Sequence, residues 1–113
     1  MSVDDGAMSS RTYAAIWSDD GGQLAGSVSL GGGSLHLDGA GPGRETRRRI
    51  SYGDITSLHM ARNGEARVAG RPSVVLEFRT VEPNLRIAMT QPGALHEFLE
   101  FLTERTTEKG ARP

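Results

Sequence analysis

A cluster of arginines is the feature of this sequence best suited to chemistry. Arg44, Arg47, Arg48 and Arg49 lie close together, with a single carboxylate between them. An arginine guanidinium matches phosphate and carboxylate groups through two parallel hydrogen bonds. The cluster therefore predicts an anion-binding edge in which Arg44, Arg47 and Arg49 are the ligand-binding residues. The alternative is a solvated surface, because the chain carries nearly all of its positive charge on arginine and has one lysine.

Positive charge is concentrated in the middle of the chain. Between residues 44 and 86 there are nine arginines and five acidic residues, whereas the whole chain has a net charge of −1. Proteins that bind nucleic acid usually combine a basic surface with aromatic side chains on which bases stack. Because the chain is near neutral and aromatic residues make up only 5% of it, we expect no nucleic-acid partner.

The histidines and serines form no pattern typical of catalysis or metal binding. His36, His59 and His96 fall on three separate predicted elements, and a zinc site needs three or four converging ligands. The chain has no cysteine, no Gly-x-Ser-x-Gly motif and no Gly-x-x-x-x-Gly-Lys phosphate loop. We therefore predict no enzyme activity, no cofactor and no metal site, and we interpret the histidines as surface or rim residues.

The elements that position the arginines are predicted by alternating apolar and polar residues. A period of two is typical of strands with one buried face. The glycine-rich segment from Gly21 to Gly43 predicts tight hairpin turns, and other turn signals separate the later segments. Six or seven antiparallel strands are predicted, with apolar members at Tyr13 to Trp17, Val28 and Leu30, Leu35 and Leu37, Ile50 and Tyr52, Leu58 and Met60, Val74 to Phe78, and Leu85 to Met89.

The same alternation orients the arginine cluster. If Ile50 and Tyr52 point into the core, Arg47 and Arg49 must point outward and Arg48 must lie at the rim. Only two or three of the four arginines can then converge on one ligand.

The apolar segment from Tyr13 to Trp17 has two interpretations. It is either a first strand buried in the sheet structure, which we favour, or an exposed edge strand. An exposed edge strand has unpaired backbone groups that could pair with a partner or with a second copy of the chain.

The period changes near the C-terminus. Leu95, Phe98, Leu99 and Leu102 follow the spacing i, i+3, i+4, i+7, which indicates one amphipathic helix. We predict this helix over Pro92 to Glu108.

Length and composition indicate one globular domain. The chain has 113 residues, of which 36% are hydrophobic and 24% charged, which is enough for one core and typical of a folded protein. We predict a flexible N-terminus over residues 1–11, a single domain over 12–108 and a flexible tail over 109–113. The first residues lack the basic and apolar segments of a signal peptide, and no apolar run could span a membrane, so we expect a soluble, cytoplasmic protein.

The order of strands followed by one C-terminal helix resembles the pleckstrin-homology-like (PH-like) domains, particularly the bacterial and GRAM-type variants. The most similar stretch is Arg49 to Leu58, which resembles the passage from the third strand into the fourth. The resemblance covers about residues 12 to 105, and the remaining order is matched by Gly26 to Asp38, Val74 to Phe78, Leu85 to Met89 and Leu95 to Leu102. It implies a mainly β fold, in which a strongly bent antiparallel sheet or barrel of six or seven strands is capped by one C-terminal α-helix.

Two functions are compatible with this resemblance. We favour a non-catalytic binding or scaffold module for a protein or peptide, which would bind by strand addition at an exposed sheet edge. The alternative is weak binding of an anionic lipid headgroup, an anionic membrane surface or a phosphate ligand through the edge from Arg44 to Arg49. Family members that bind phosphoinositides carry lysine and arginine on the first strand pair, and the segment from Ala25 to Leu37 has neither.

Overall fold

Seven antiparallel strands and one C-terminal helix make up the described part of the chain. The computed structural model describes residues 11–19, 22–61, 68–80, 84–91 and 93–109, with backbone only for 107–109. The predicted flexible ends are residues 1–11 and 109–113; of these, 1–10 and 110–113 lie outside the described residues, whereas Arg11 begins the first strand and Lys109 ends the helix. The elements are β1 (Arg11–Asp19), β2 (Gly22–Leu30), β3 (Ser34–Gly41), β4 (Arg44–Ser51), a 3₁₀ turn (Tyr52–Asp54), β5 (Ile55–Ala61), β6 (Ser73–Phe78), β7 (Leu85–Met89) and helix α1 (Ala94–Lys109).

The predicted mainly β fold class is confirmed. Six or seven strands and one C-terminal helix were expected, and the helix begins two residues later and ends one residue later than the pattern indicated. The strands form one sheet in the order β4-β3-β2-β1-β7-β6-β5. Every neighbouring pair is antiparallel, and the sheet curls into a half-barrel.

Strand β1 lies in the centre of this sheet. It pairs with β2 along its whole length and with β7 from Ala15 to Ser18. Ala15 and Trp17 are both 1% exposed. Of the two interpretations of Tyr13 to Trp17, the structure therefore confirms the buried strand, and the sheet edges are β4 and β5 instead.

The core fills the concave face of the sheet, as the alternation predicts. Ile50 and Tyr52 are buried, which confirms their inward orientation. The Tyr52 hydroxyl donates a hydrogen bond to the Gly31 carbonyl oxygen at 2.7 Å and so fastens the 3₁₀ turn to the β2–β3 loop. Burial raises the pKa of Tyr52, and the nearby Arg105 opposes this effect. The largest buried members of the core are Trp17, Tyr52, Phe98, Leu24, Leu30, Leu35, Leu37, Ile55, Leu76, Leu85, Ile87 and Leu102.

Helix α1 packs against the 3₁₀ turn and strands β5 to β7. Phe98 and Leu102 are fully buried. The Phe98 ring also meets the Tyr13 ring edge-on, with 5.7 Å between the ring centroids. The Tyr13 hydroxyl donates to Glu97 Oε1 at 3.1 Å, and burial together with this carboxylate raises the pKa of Tyr13 to about 12.

Two glycines that were predicted to lie in turns belong to strands instead, where they allow neighbouring chain segments to approach closely. Gly26 of β2 pairs with Gly39 of β3. A Cβ atom on Gly39 would lie 2.6 Å from Cη2 of Trp17, so a side chain at this position would displace the indole. The density of glycine between Gly21 and Gly43 therefore reflects packing as well as turns.

Candidate functional site

The arginines of β4 lie on both faces of the strand. Arg44 and Arg48 lie on the concave side, where both approach Asp19 at the end of β1. Arg44 Nη2 is 3.0 Å from Asp19 Oδ1, and Arg48 Nη1 is 4.0 Å from Asp19 Oδ2. The Arg48 guanidinium also lies 5.7 Å from the centroid of the Phe78 ring. These two cations are therefore partly offset by a carboxylate whose side chain is only 19% exposed.

Arg47 and Arg49 point outward, and Arg48 lies at the rim with 28% of its side chain exposed, as predicted. Arg47 Nε is 3.7 Å from Asp38 Oδ2, although both side chains are largely exposed. The structure thus separates the three predicted ligand-binding residues, because Arg44 lies on the opposite face from Arg47 and Arg49. The physical reason is the two-residue period, which places positions 44 and 48 on one side of the strand and positions 47 and 49 on the other. Ligand binding by these residues stays a prediction.

Two hollows adjoin the arginines, and both contain carboxylates. A shallow depression of about 570 Å³ on the β3–β4 hairpin includes Asp38, Glu45 and Arg47. A smaller cavity of about 90 Å³ includes Arg48 and Asp54, among other residues. The carboxylates reduce the attraction that either hollow would exert on an anion.

Strand β5 is the opposite edge of the sheet, and it has a different character. Its seven residues include no acidic residue, lysine or arginine. Leu58 and Met60 are partly exposed, and Thr56 and His59 are exposed. The register shifts between Ile55 and Ser57, so the regular part of the edge is the second half of the strand. Within the described ranges, no strand pairs with the outer side of β5.

An apolar groove of about 240 Å³ adjoins this edge. It lies where the end of β5, the start of β6, the end of β7 and the start of α1 meet. We call it the methionine groove, and its main lining residues are Met60, Arg71, Pro72, Met89, Leu95 and His96. Met89 is almost fully buried, whereas Met60 and Leu95 are partly exposed. The groove therefore offers an apolar floor that is accessible from the β5 side.

A tight turn places Arg71 at the rim of the methionine groove. Val68 and Arg71 exchange two backbone hydrogen bonds, of 3.0 and 2.9 Å. Ala69 and Gly70 between them both have positive φ angles, of 54° and 77°, which is the geometry of a two-residue hairpin turn. The Arg71 side chain donates from Nη1 to the Thr90 carbonyl oxygen at 3.5 Å. The turn geometry therefore places Arg71 beside the groove, with its guanidinium near the Thr90 carbonyl oxygen.

The three histidines are exposed and lie on separate elements, as predicted: His36 on β3, His59 on β5 and His96 on α1. His36 Nε2 is 3.0 Å from the Ser34 hydroxyl. Among the described residues, no group of three or more His, Asp or Glu side chains could hold a metal ion. In the same part of the chain, no helix has the length and apolar composition needed to cross a membrane.

Sequence reasoning missed the methionine groove. Its residues come from four separate segments, and each segment has an ordinary sequence. Met60 and Met89 were predicted as strand residues and Leu95 as a helix residue. The one available signal was that Met60 belongs to a strand without charged residues, which is unusual for a sheet edge, but the edge position of β5 was not evident from the chain order.

Comparisons with known proteins give no family assignment. No protein-family model matches the chain, and no curated protein is significantly similar to it. The curled antiparallel half-barrel of seven strands with one C-terminal helix is consistent with a PH-like fold.

Proposed function

We propose that the chain is a PH-like, non-catalytic binding module that recognises an extended peptide segment of a partner protein by strand addition at β5. The observation that carries this proposal is the position of β5, a charge-free edge strand that adjoins the methionine groove. Because PH-like folds and similar scaffolds host unrelated functions, the argument depends on this site and not on the fold.

Edge strands are usually protected from association by charged side chains, proline or bulges. Strand β5 has one register shift near its start and no charged residue in the remainder. An added strand would satisfy the outward backbone groups of β5, and alternate side chains of that strand would face the concave side. The methionine groove lies on that side, so it can receive one of those side chains.

The size of the groove favours a side chain over a free small molecule. Sites for drug-sized ligands usually have volumes of about 300 to 1,000 Å³. The methionine groove, with a volume of about 240 Å³, lies below that range. A peptide side chain is small enough to enter it, while the backbone of the same peptide pairs with β5.

Hydrogen exchange can test the proposal on the full chain. A random-sequence display library of short peptides is selected against the purified protein, and one selected peptide is synthesised. We expect the peptide to protect backbone amides of β5 and to leave those of β4 unchanged. Selection of no peptide, or protection confined to β4, would contradict the proposal.

Charge at the edge provides a matched pair of variants. His59→Lys changes an exposed position in the regular part of β5 and places a charge on this edge, so peptide binding should weaken while the melting temperature stays nearly constant. Arg47→Ala combined with Arg49→Ala is the control on the other edge and should leave peptide binding unchanged. A dimer formed through β5, visible by light scattering without peptide, would instead assign the edge to a second copy of the chain.

A second candidate is weak anion binding at the β4 edge, favoured by the 87% exposure of the Arg47 side chain. Arg47 and Arg49 point outward together, so they can attract a phosphate or a lipid headgroup. Exposed charges are screened over about 8 Å at physiological ionic strength. Binding to anionic vesicles or polyphosphate is therefore expected only at low salt.

A further inference from the structure

We infer that the methionine groove selects peptides in which an apolar side chain is next to a carboxylate. This inference rests on the proposed function and names the chemical class of its peptide. It depends on three properties of the groove: an adaptable apolar floor, the Arg71 cation at its rim, and the absence of acidic residues from its described lining.

The floor of the groove determines the apolar part of the ligand. Met60, Met89 and Leu95 supply flexible, unbranched or γ-branched side chains next to Pro72. Methionine has three rotatable bonds and a polarisable sulfur atom, so it adapts to side chains of different shapes. We therefore expect several large apolar residues, such as leucine, methionine and phenylalanine, to be accepted at this position.

The residues at the rim of the groove determine which charged residue of the peptide is accepted. Arg71 and His96 line the groove, and no aspartate or glutamate appears among its described lining residues. The groove also reaches Gly93, just before α1 begins at Ala94. The first N–H groups of a helix carry a partial positive charge, which adds to the attraction that Arg71 exerts on a carboxylate.

Glu97, the acidic residue in the first turn of the helix, does not offset this charge. Glu97 accepts a hydrogen bond from the Tyr13 hydroxyl at 3.1 Å and lies 3.9 Å from Arg11. Both contacts are with β1, so Glu97 is directed away from the groove. The ion pairs of the described residues do not include Arg71. Its contact with the Thr90 carbonyl oxygen engages one of the five N–H groups that a guanidinium carries.

The arginines of β4 form a contrasting set. Arg44 and Arg48 approach Asp19, and Arg47 approaches Asp38. At three of the four β4 arginines a peptide carboxylate would compete with these acidic side chains, whereas no described ion pair engages Arg71 at the methionine groove. Acidic peptides should therefore prefer the β5 edge although β4 contains more arginines.

A pair of synthetic peptides tests this selectivity. One peptide is the peptide selected from the display library, with a large apolar residue and a glutamate next to each other at the positions that face the groove. The second peptide has glutamine in place of that glutamate. Arg71 is exposed, and an ion pair between exposed side chains is weak and screened by salt, so we expect the acidic peptide to bind about two- to five-fold tighter at low salt. The difference should shrink as salt is added. Equal affinities at low salt would overturn the inference.

Charge reversal at the rim provides the second measurement. Arg71→Glu should weaken binding of the acidic peptide about ten-fold and strengthen binding of a lysine-containing counterpart, whereas Arg71→Lys should retain the acidic preference in reduced form. Arg47→Glu at the other edge is the matched control and should leave both affinities unchanged. Melting temperatures verify that the variants are folded. The salt dependence of peptide affinity in the unmodified protein tests the contribution of the Arg71 charge without a substitution.

The outcomes separate this inference from the proposed function. If peptides protect β5 from hydrogen exchange but bind equally well as acid and amide, the selectivity is wrong and strand addition stands. If no peptide protects β5, the proposed function fails, and the selectivity falls with it. If acidic peptides bind and protect β4 instead, both are overturned in favour of the arginine edge.

Discussion

The two edges of the sheet differ in charge and in their surroundings. Strand β4 carries four arginines and one glutamate, and three of the arginines contact Asp19 or Asp38. Strand β5 carries no charged residue and lies beside helix α1 and the methionine groove. Charged side chains on an edge prevent it from pairing with other strands. This difference in charge is the reason for placing the proposed strand addition at β5 and not at β4.

The comparison also changes the interpretation of the arginine cluster. In the sequence, a dense cluster of arginines predicts an anion site. In the structure these residues are divided between the two faces of β4, and three of the four approach carboxylates. Protection of an edge needs charge anywhere along the strand, whereas an anion site needs cations that converge. The arrangement on β4 meets the first requirement more fully than the second.

The largest effect is expected at the helix that covers the β5 side. Phe98→Ala removes a fully buried ring, so the free energy of unfolding should fall by about 3 to 5 kcal/mol, as measured by urea denaturation. Phe101→Ala is the control: this ring is only partly buried and contacts Arg11 at its surface, so its loss should cost clearly less. A loss below about 1 kcal/mol for Phe98→Ala would mean that α1 does not cap the core.

On the β4 side, the largest effect is expected at a glycine. Gly39→Ala places a Cβ atom 2.6 Å from the Trp17 ring and close to the Ala25 carbonyl oxygen. Overpacking of this kind usually costs about 1 to 3 kcal/mol, which denaturant melts can resolve. Gly33→Ala is the matched control, because its Cβ would meet no atom within 4 Å. Equal stabilities of the two variants would contradict the close approach of Trp17 to β3.

A smaller loss of stability is expected at the contact between β1 and helix α1. Tyr13→Phe removes the hydrogen bond to Glu97 and should cost about 0.5 to 1.5 kcal/mol at neutral pH. In the folded chain the pKa of Tyr13 is raised from its ordinary value of 10.0 to about 12. The unfolded chain therefore ionises first, so the stabilisation is complete below pH 10 and is lost as the pH rises towards 12.

Stability measured from neutral to alkaline pH, together with phenolate absorbance, checks this assignment. Tyr13→Phe should reduce the alkaline loss of stability, and the part that remains should include Tyr52, whose pKa is also raised by burial. If the Tyr13→Phe variant lost stability with pH as steeply as the unmodified chain, the contact between Tyr13 and Glu97 would not form in solution.

The smallest effect on stability is expected at the β4 edge. Arg47→Ala with Arg49→Ala should change the free energy of unfolding by less than about 0.5 kcal/mol, because both side chains are exposed. The same variant should remove low-salt binding to anionic vesicles, measured by co-sedimentation. Vesicle binding that survives about 0.15 M salt, where exposed charges are strongly screened, and is lost in this variant would reverse the comparison of the two edges.

Much of the local structure could be predicted from the sequence, because it depends on residue periods. The two-residue period indicated the strands and the inward orientation of Ile50 and Tyr52, from which the outward orientation of Arg47 and Arg49 follows. The spacing of Leu95, Phe98 and Leu102 indicated the helix. These features are decided by which side chains must leave water, and a short stretch of sequence contains that information.

The tertiary structure alone decided which strands are neighbours. Strand β1 pairs with β7 although more than 60 residues separate Ala15 from Met89, and this pairing makes β5 an edge. The methionine groove follows from the same order, since it combines Met60, Arg71, Met89 and Leu95 from four segments. Each segment satisfies its local pattern with or without its neighbours, so no local rule specifies the groove. Only the closing of the sheet and the docking of α1 bring these side chains together.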